Sequence, residues 1–134
     1  MRVFLDTNVL VSAFATRGLC ADLFRSVVVE HDLVLGEVVL EEFRRVLKTR
    51  FRVPAKDLRQ IEAYLRSYEI VPKPAEPDPI RVRDEADRWV LASAHNAQAD
   101  VLVTGDSDLL SVADLAQVQI VSPREFWEKL RKIK

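Results

Sequence analysis

Residues 3–13 read VFLDTNVLVSA, and the fold turns on how the acid in their midst is understood. Val3, Phe4 and Leu5 form a short, continuously apolar run of the kind found in a strand buried on both faces. Asp6, Thr7 and Asn8 interrupt it, and a second apolar stretch with helical character follows from about Val9 to Ala15. A carboxylate at the end of a core strand is costly unless it is paired, protonated or bound to a cation. Capping the next helix is a sufficient local explanation for one such acid. Its wider meaning depends on whether other acids arrive at the same place.

The alternation of strand and helix continues outward from this stretch. Leu19 to Val29 reads as a second helix, with Gly18 in the turn before it; Asp32 to Leu35 (DLVL) is a second short strand, ended by Gly36. Glu37 to about Arg50 carries Val39, Phe43, Val46 and Leu47 at helical spacing, and Pro54 stops that pattern. Lys56 to Tyr68 forms another amphipathic helix, and Glu69 to Val71 a brief strand. PKPAEPDP, residues 72–79, has too many prolines for helix or central strand and reads as an extended surface loop. Asp84 to about Ala97 is helical, Asp100 to Thr104 (DVLVT) a strand, Gly105 to Asp108 a turn that the glycine permits, and Leu109 to Leu115 a short helix. Val118 to Val121 is the last strand, and Ser122 caps a final helix that has Pro123 in its first position and runs through Leu130.

Short apolar strands alternating with helices predict an α/β protein whose parallel sheet is covered on both faces. Nothing repeats, and residues 1–134 read as a single domain. Ligands in such sheets bind beyond the C-terminal ends of the strands. Asp6 follows the first strand and Asp106 follows VLVT, so both acids belong to that edge.

Composition narrows the function classes. A 49% hydrophobic and 31% charged chain with 3 Gly and 6 Pro is neither disordered nor fibrous. The one cysteine, Cys20, excludes an internal disulfide, fits a reducing compartment and reads as a small apolar residue on a helix. No apolar run approaches the roughly 18 residues that span a bilayer, and no signal-peptide pattern opens the chain. A cytoplasmic protein is expected. The net charge of −1 does not by itself announce a nucleic-acid partner.

Helix phase sorts the remaining acids. On the helix from Asp84, the residues Ala86, Val90, Leu91, Ala94 and Ala97 gather on one side; Asp87 falls within that apolar stripe and Asp84 nearer its edge. On the helix from Glu37, Glu41 lies opposite the apolar stripe while Glu42 sits at its rim, able to reach into a cleft. VLVTGDSDLL carries Asp106 and Asp108 at one turn, where helix capping needs only one acid. Carboxylates gathered in one cleft repel each other, and a hard divalent cation removes the repulsion. Mg²⁺ or Mn²⁺ suits an all-oxygen set, and such an ion serves phosphodiester hydrolysis without a side-chain nucleophile. His31 and His95 stand apart with no ligand spacing, which disfavours zinc and leaves them ordinary surface or helix roles.

FLDTNVLVSA, LEEFRRVL, DEADRWVLASA and VLVTGDSDLL, in that order, resemble the PIN-domain ribonucleases, above all the VapC-like toxin members of toxin–antitoxin pairs. The resemblance runs from about Met1 to Pro123. It implies a three-layer α/β/α sandwich around a short parallel sheet, and Mg²⁺- or Mn²⁺-dependent cleavage of single-stranded RNA. It also implies a cognate antitoxin and a homodimer. The family's acids would fall on Asp6, Glu42, Asp87 and Asp106, with Asp108 accessory at the metal and Thr7, Asn8 and Thr104 steadying the acids. Many toxin-type members carry Asn and Phe around TGDSDLL, so the primary ligand there is either Asp106 or Asp108. Basic residues in RRVLKTRFR, among them Arg44, Arg45 and Lys48, offer phosphate contacts, and a second patch lies in REFWEKLRKIK. Trp89 and Trp127, among apolar neighbours, read as core or interface residues.

Two other readings compete. A haloacid-dehalogenase-type phosphatase also begins with an acid after strand one, but its second acid would fall at Asn8, and no strand-end lysine fits. A non-catalytic PIN-like module would bind RNA or metal without turnover.

Overall fold

The computed structural model describes residues 1–133. Its elements are β1 (Arg2–Leu5), α1 (Thr7–Ala15), α2 (Leu19–Glu30), β2 (Asp32–Gly36), α3 (Glu37–Thr49), α4 (Ala55–Leu65), β3 (Glu69–Val71), α5 (Glu85–Asn96), β4 (Val101–Val103), α6 (Ser107–Leu110), β5 (Gln119–Val121) and α7 (Pro123–Ile133). The five strands form one parallel sheet in the order β3-β2-β1-β4-β5, flanked by helices in an α/β/α sandwich. Val3, Phe4, Leu5, Val34, Leu35, Leu102 and Val103 are wholly enclosed, which explains why the three central strands read as unbroken apolar runs. Among the described residues, no helix is long and apolar enough to cross a membrane.

The strand order places the site. β1 is followed in the chain by its neighbour on one side, β2, and much later by its neighbour on the other, β4. The chain therefore leaves β1 and β4 in opposite senses, opening a crevice at their C-terminal ends. Register holds the two ends level, with Leu5 beside Val103, so the residues that follow each strand emerge together. Gly36 seats α3 closely against this core: a Cβ there would lie 3.0 Å from Phe4 Cζ.

The boundaries differ from expectation in instructive places. α1 starts at Thr7 because Asp6 caps it, and α4 stops at Leu65, where Arg66, Ser67 and Tyr68 close the helix with tightening backbone bonds. The expected helix over Leu109–Leu115 is instead α6 followed by short turns, in which Val112 bonds to Leu109 and Leu115 to Val112. The proline-rich segment does not lie wholly on the surface. Pro74 and Asp78 are buried, and Asp78 is tied to α5 through its backbone: its N–H donates to Arg88 O at 3.0 Å and its C=O accepts from Arg88 Nε at 2.8 Å.

Candidate functional site

At the end of β1 the backbone and side chain of Asp6 do separate work. Its N–H extends the ladder by donating to Val103 O at 3.0 Å. Its carboxylate turns back to cap α1, with Oδ1 accepting from Thr7 N–H at 2.7 Å, and Oδ2 accepts from the Thr104 hydroxyl at 2.7 Å. Thr104 is fully buried and its oxygen in turn accepts from Asp106 N–H at 3.0 Å. Asp106 then caps α6, accepting from Asp108 N–H at 2.9 Å. Asn8 adds a strut from α1, its Oδ1 accepting from Gly105 N–H at 3.2 Å. One run of hydrogen bonds thus joins the ends of β1 and β4.

The role expected of the glycine in this turn is not the one it plays. Gly105 does not adopt a left-handed conformation, and a Cβ on it would make only ordinary contact with Asn8, 3.7 Å away. The turn closes through the Asp106 side chain, an Asx-type bond.

The third element is α5, whose N-terminus faces the same edge because the helix runs back antiparallel to the strands before β4. Asp84 caps it, accepting from Ala86 N–H at 3.0 Å, which leaves Asp87 in the first turn and free to point inward. Asp87 is only 7% exposed, and its Oδ2 has no hydrogen-bond partner. Oxygens of Asp87, Asp106 and Asp108 all lie within 4.8 Å of one another. Asp6 stands outside that set of three but within reach of its field.

The electrostatics follow. Burial pushes Asp87 up to about 8, reinforced by the adjacent Asp106 carboxylate and by the charges of Asp6 and Asp84. Burial likewise raises Asp6 to about 6 against the opposing bonds from Thr104 and Thr7, with Glu42 and Asp106 adding repulsion. Both values record the same condition, which is negative charge crowded where water is scarce.

The other expected residues fall around this cluster. Glu42 is half-exposed at the rim, 3.6 Å from Arg45 and close enough for Asp6 to feel its charge. Thr7 holds Asp6 through its backbone, while its buried hydroxyl has no partner. Arg44 is engaged elsewhere, in a two-pronged pair with Glu62 of α4 at 2.7 and 2.6 Å. Arg45 and Lys48 are exposed. From Thr7, Asn8 and Glu42 a groove of about 510 Å³ leads away between α1 and α3, ending at Arg50 and Phe51. Phe51 has no periodic signature in the sequence, since it lies beyond the end of α3, and pattern alone did not single it out.

The donor set is entirely oxygen and includes an acid with an orphaned buried oxygen, and this chemistry suits a hard divalent cation.

Comparison with known proteins bears on the family and the fold. A family model described as PIN domain matches residues 2–108. Among solved structures, VapBC2 from Rickettsia felis, bound to a DNA fragment from their promoter, is 15% identical; the match covers 91% of this chain and 98% of that one, with a TM-score of 0.62. FitAcB from Neisseria gonorrhoeae is 20% identical over 90% of this chain and 97% of that one, with a TM-score of 0.60. VapC20 of Mycobacterium tuberculosis, described as a Sarcin-Ricin loop cleaving toxin, is 14% identical over 82% of this chain and 94% of that one, with a TM-score of 0.58. These likenesses are ones of fold. No curated protein matches the sequence.

Proposed function

The chain belongs to the PIN domain family, and we propose that it is a Mg²⁺- or Mn²⁺-dependent endoribonuclease acting on single-stranded RNA, the toxin of a toxin–antitoxin pair. The observation that carries this reading is the unpartnered oxygen of buried Asp87 among the carboxylates of Asp106 and Asp108. A fold gains nothing from an orphaned, mutually repelling set of acids, and such a set is tolerated where a ligand relieves it.

In this reading Asp87, Asp106 and Asp108 would hold the ion, with the Asp6 carboxylate close enough to add its charge. A bound divalent cation supplies Lewis-acid polarisation of the phosphodiester and stabilises charge on the leaving oxygen. The protein's own part is rigidity. Thr104 fixes Asp6 and orients the Asp106 backbone at once, and Asn8 pins the turn through Gly105. Glu42, at the groove side of the cluster, takes the hydrogen bond or proton of the attacking water. Arg45 and Lys48 supply phosphate contacts; Arg44 serves mainly to join α3 to α4.

The partners in this reading are RNA, an antitoxin chain and a second copy of the toxin. Support for the antitoxin comes from the toxin-type sequence motifs and from the likeness in fold to VapBC2 and FitAcB. The reading also takes the protein to be cytoplasmic.

The deciding experiment incubates the purified protein with a labelled single-stranded RNA in Mg²⁺, Mn²⁺ or EDTA. Cleavage is expected with either metal and none with chelator, and Asp87→Asn is expected to remove it. Cleavage indifferent to metal, or surviving that substitution, would overturn the assignment. Binding without turnover would select the non-catalytic module instead.

A further inference from the structure

The groove between α1 and α3 changes character along its length. At the acidic end it is lined by Thr7, Asn8 and Glu42; its middle is floored by small residues of α1, among them Ser12 and Ala15; its far end carries Arg45, Arg50 and Phe51. From Glu42 to Thr49, where α3 ends, the rise of the helix gives about 10 Å. Past Glu42 the groove holds no acid. Among the described residues neither Arg50 nor Arg45 has an acid within hydrogen-bond distance, Arg45 coming no nearer than 3.6 Å to Glu42. A polyanion suits that end, and a polycation does not.

Phe51 is 44% exposed, as is Tyr64, whereas the protein's other phenylalanines pack inward. It is also held out by its backbone. Its N–H donates to Val46 O at 3.4 Å and that of Val53 to Leu47 O at 3.0 Å, folding the chain back onto the end of α3. This return forces Arg52 into the left-handed region, at φ 52°, which a bulky residue adopts only at a cost. Phe51 thus stands exposed in the groove that Arg45 and Arg50 also line, with Asp6 beyond Thr7 and Glu42 at the other end.

We propose that Phe51 is a stacking platform for one base of single-stranded RNA, whose phosphates Arg45 and Arg50 neutralise as the strand runs between α1 and α3 into the acidic centre. Aromatic faces hold unpaired bases by stacking regardless of sequence, and guanidinium groups beside them track the backbone. This inference rests on the nuclease reading and adds to it the path and the point of grip of the substrate.

The test measures binding of a fluorescein-labelled oligoribonucleotide by anisotropy in Mn²⁺, in an Asp87→Asn background that prevents cleavage. Phe51→Ala and Phe51→Leu are each expected to weaken binding about tenfold, and Phe51→Trp to retain it. One abasic nucleotide, moved along the oligonucleotide, is expected to cost the same at a single position and to add nothing in the Phe51→Ala protein. The Phe51→Leu variant keeps an apolar side chain without a π-face, and unchanged melting temperatures confirm that all variants fold. Equal binding by the parent, the Phe51→Ala variant and the Phe51→Leu variant, or strictly additive abasic losses, overturns the platform. Loss of affinity for a protein partner with RNA binding untouched overturns it too. Cleavage by the unsubstituted protein is scored separately. If it cleaves and Phe51 is irrelevant to binding, only the platform falls; if it binds through Phe51 and never cleaves, the nuclease reading falls and the platform stands.

Discussion

Two buried carboxylates, Asp87 within α5 and Asp78 packed against it, could hardly be treated more differently. Asp78, 6% exposed, has both oxygens occupied: Oδ1 accepts from Ile80 N–H at 3.0 Å and Oδ2 meets His95 Nδ1 at 2.6 Å. His95 Nε2 lies 3.4 Å from Val118 N–H, which can only donate, so Nε2 accepts and Nδ1 carries the proton given to Asp78. Asp87, as deeply buried, faces other acids and leaves one oxygen orphaned. Burial alone therefore does not separate an acid that the fold satisfies from one that it leaves unsatisfied. The presence or absence of partners does, and substitution at either acid puts that contrast at risk.

The largest expected effect is on activity. Asp87→Asn removes an acid that the fold does not need and that a cation would require, so RNA cleavage is expected to fall on the order of 10³-fold while the metal-free protein melts no lower than the parent. Asp6→Asn should lose comparable activity, read in the same gel assay. A substantial drop in melting temperature for Asp87→Asn would show that this acid holds the fold, and the contrast would collapse.

Asp78→Ala is the mirror experiment. It strands the His95 proton and the Ile80 N–H in a buried place, and is expected to cost about 2 kcal/mol in urea unfolding. Because the segment around Asp78 also clasps Arg88, next to Asp87, activity should decline only as far as folding does.

Proton linkage sharpens the same point. Asp6 sits near 6 and Asp87 near 8, both above the ordinary carboxylate value of about 4. The folded chain therefore keeps protons that the unfolded chain releases. The stability this lends is whole below about pH 4 and drains away as pH rises through 6 and then 8. In EDTA, melting temperature should fall between about pH 5 and pH 9, less steeply for Asp87→Asn in the upper half of that range. Mn²⁺ should raise it by several degrees, most at high pH, because the ligands must be deprotonated to bind. A metal-free protein that grows more stable toward pH 9 would contradict the crowding of charge described here.

Much of this was legible beforehand, for identifiable reasons. Val3–Leu5 and Val101–Val103 are buried on both faces, so their burial is written as unbroken apolar runs that no neighbour can disguise. Helix phase separated Asp87 from Asp84 and Glu42 from Glu41 because a stripe is a local property of the chain. What was hidden depended on contacts distant in sequence. Asp78 sits among four prolines in a segment that looks solvent-borne, and only His95, 17 residues on, reveals that it is buried. Thr104 was legible as a polar residue at a strand end, but its double role between Asp6 and Asp106 requires β1 and β4 to be adjacent.

The smallest expected effect carries the contrast over to the cations. Arg44 and Arg45 are consecutive, yet Arg44 is clamped to Glu62, which is held down to about 2 chiefly by Arg44 and then by Arg66, while Arg45 only approaches Glu42. Exposed pairs contribute little, so Arg44→Ala should cost no more than about 1 kcal/mol of stability and leave the salt dependence of RNA binding nearly unchanged. Arg45→Ala should do the reverse: no change in melting, and a slope of log affinity against log salt that is shallower by about 0.7, the amount expected for one lost single-strand phosphate contact. If the two substitutions gave the same slope, partnering would fail as a criterion for cations even if it held for the acids, because a guanidinium paired at the surface can exchange its carboxylate for a phosphate at little cost, whereas a buried carboxylate has no such alternative.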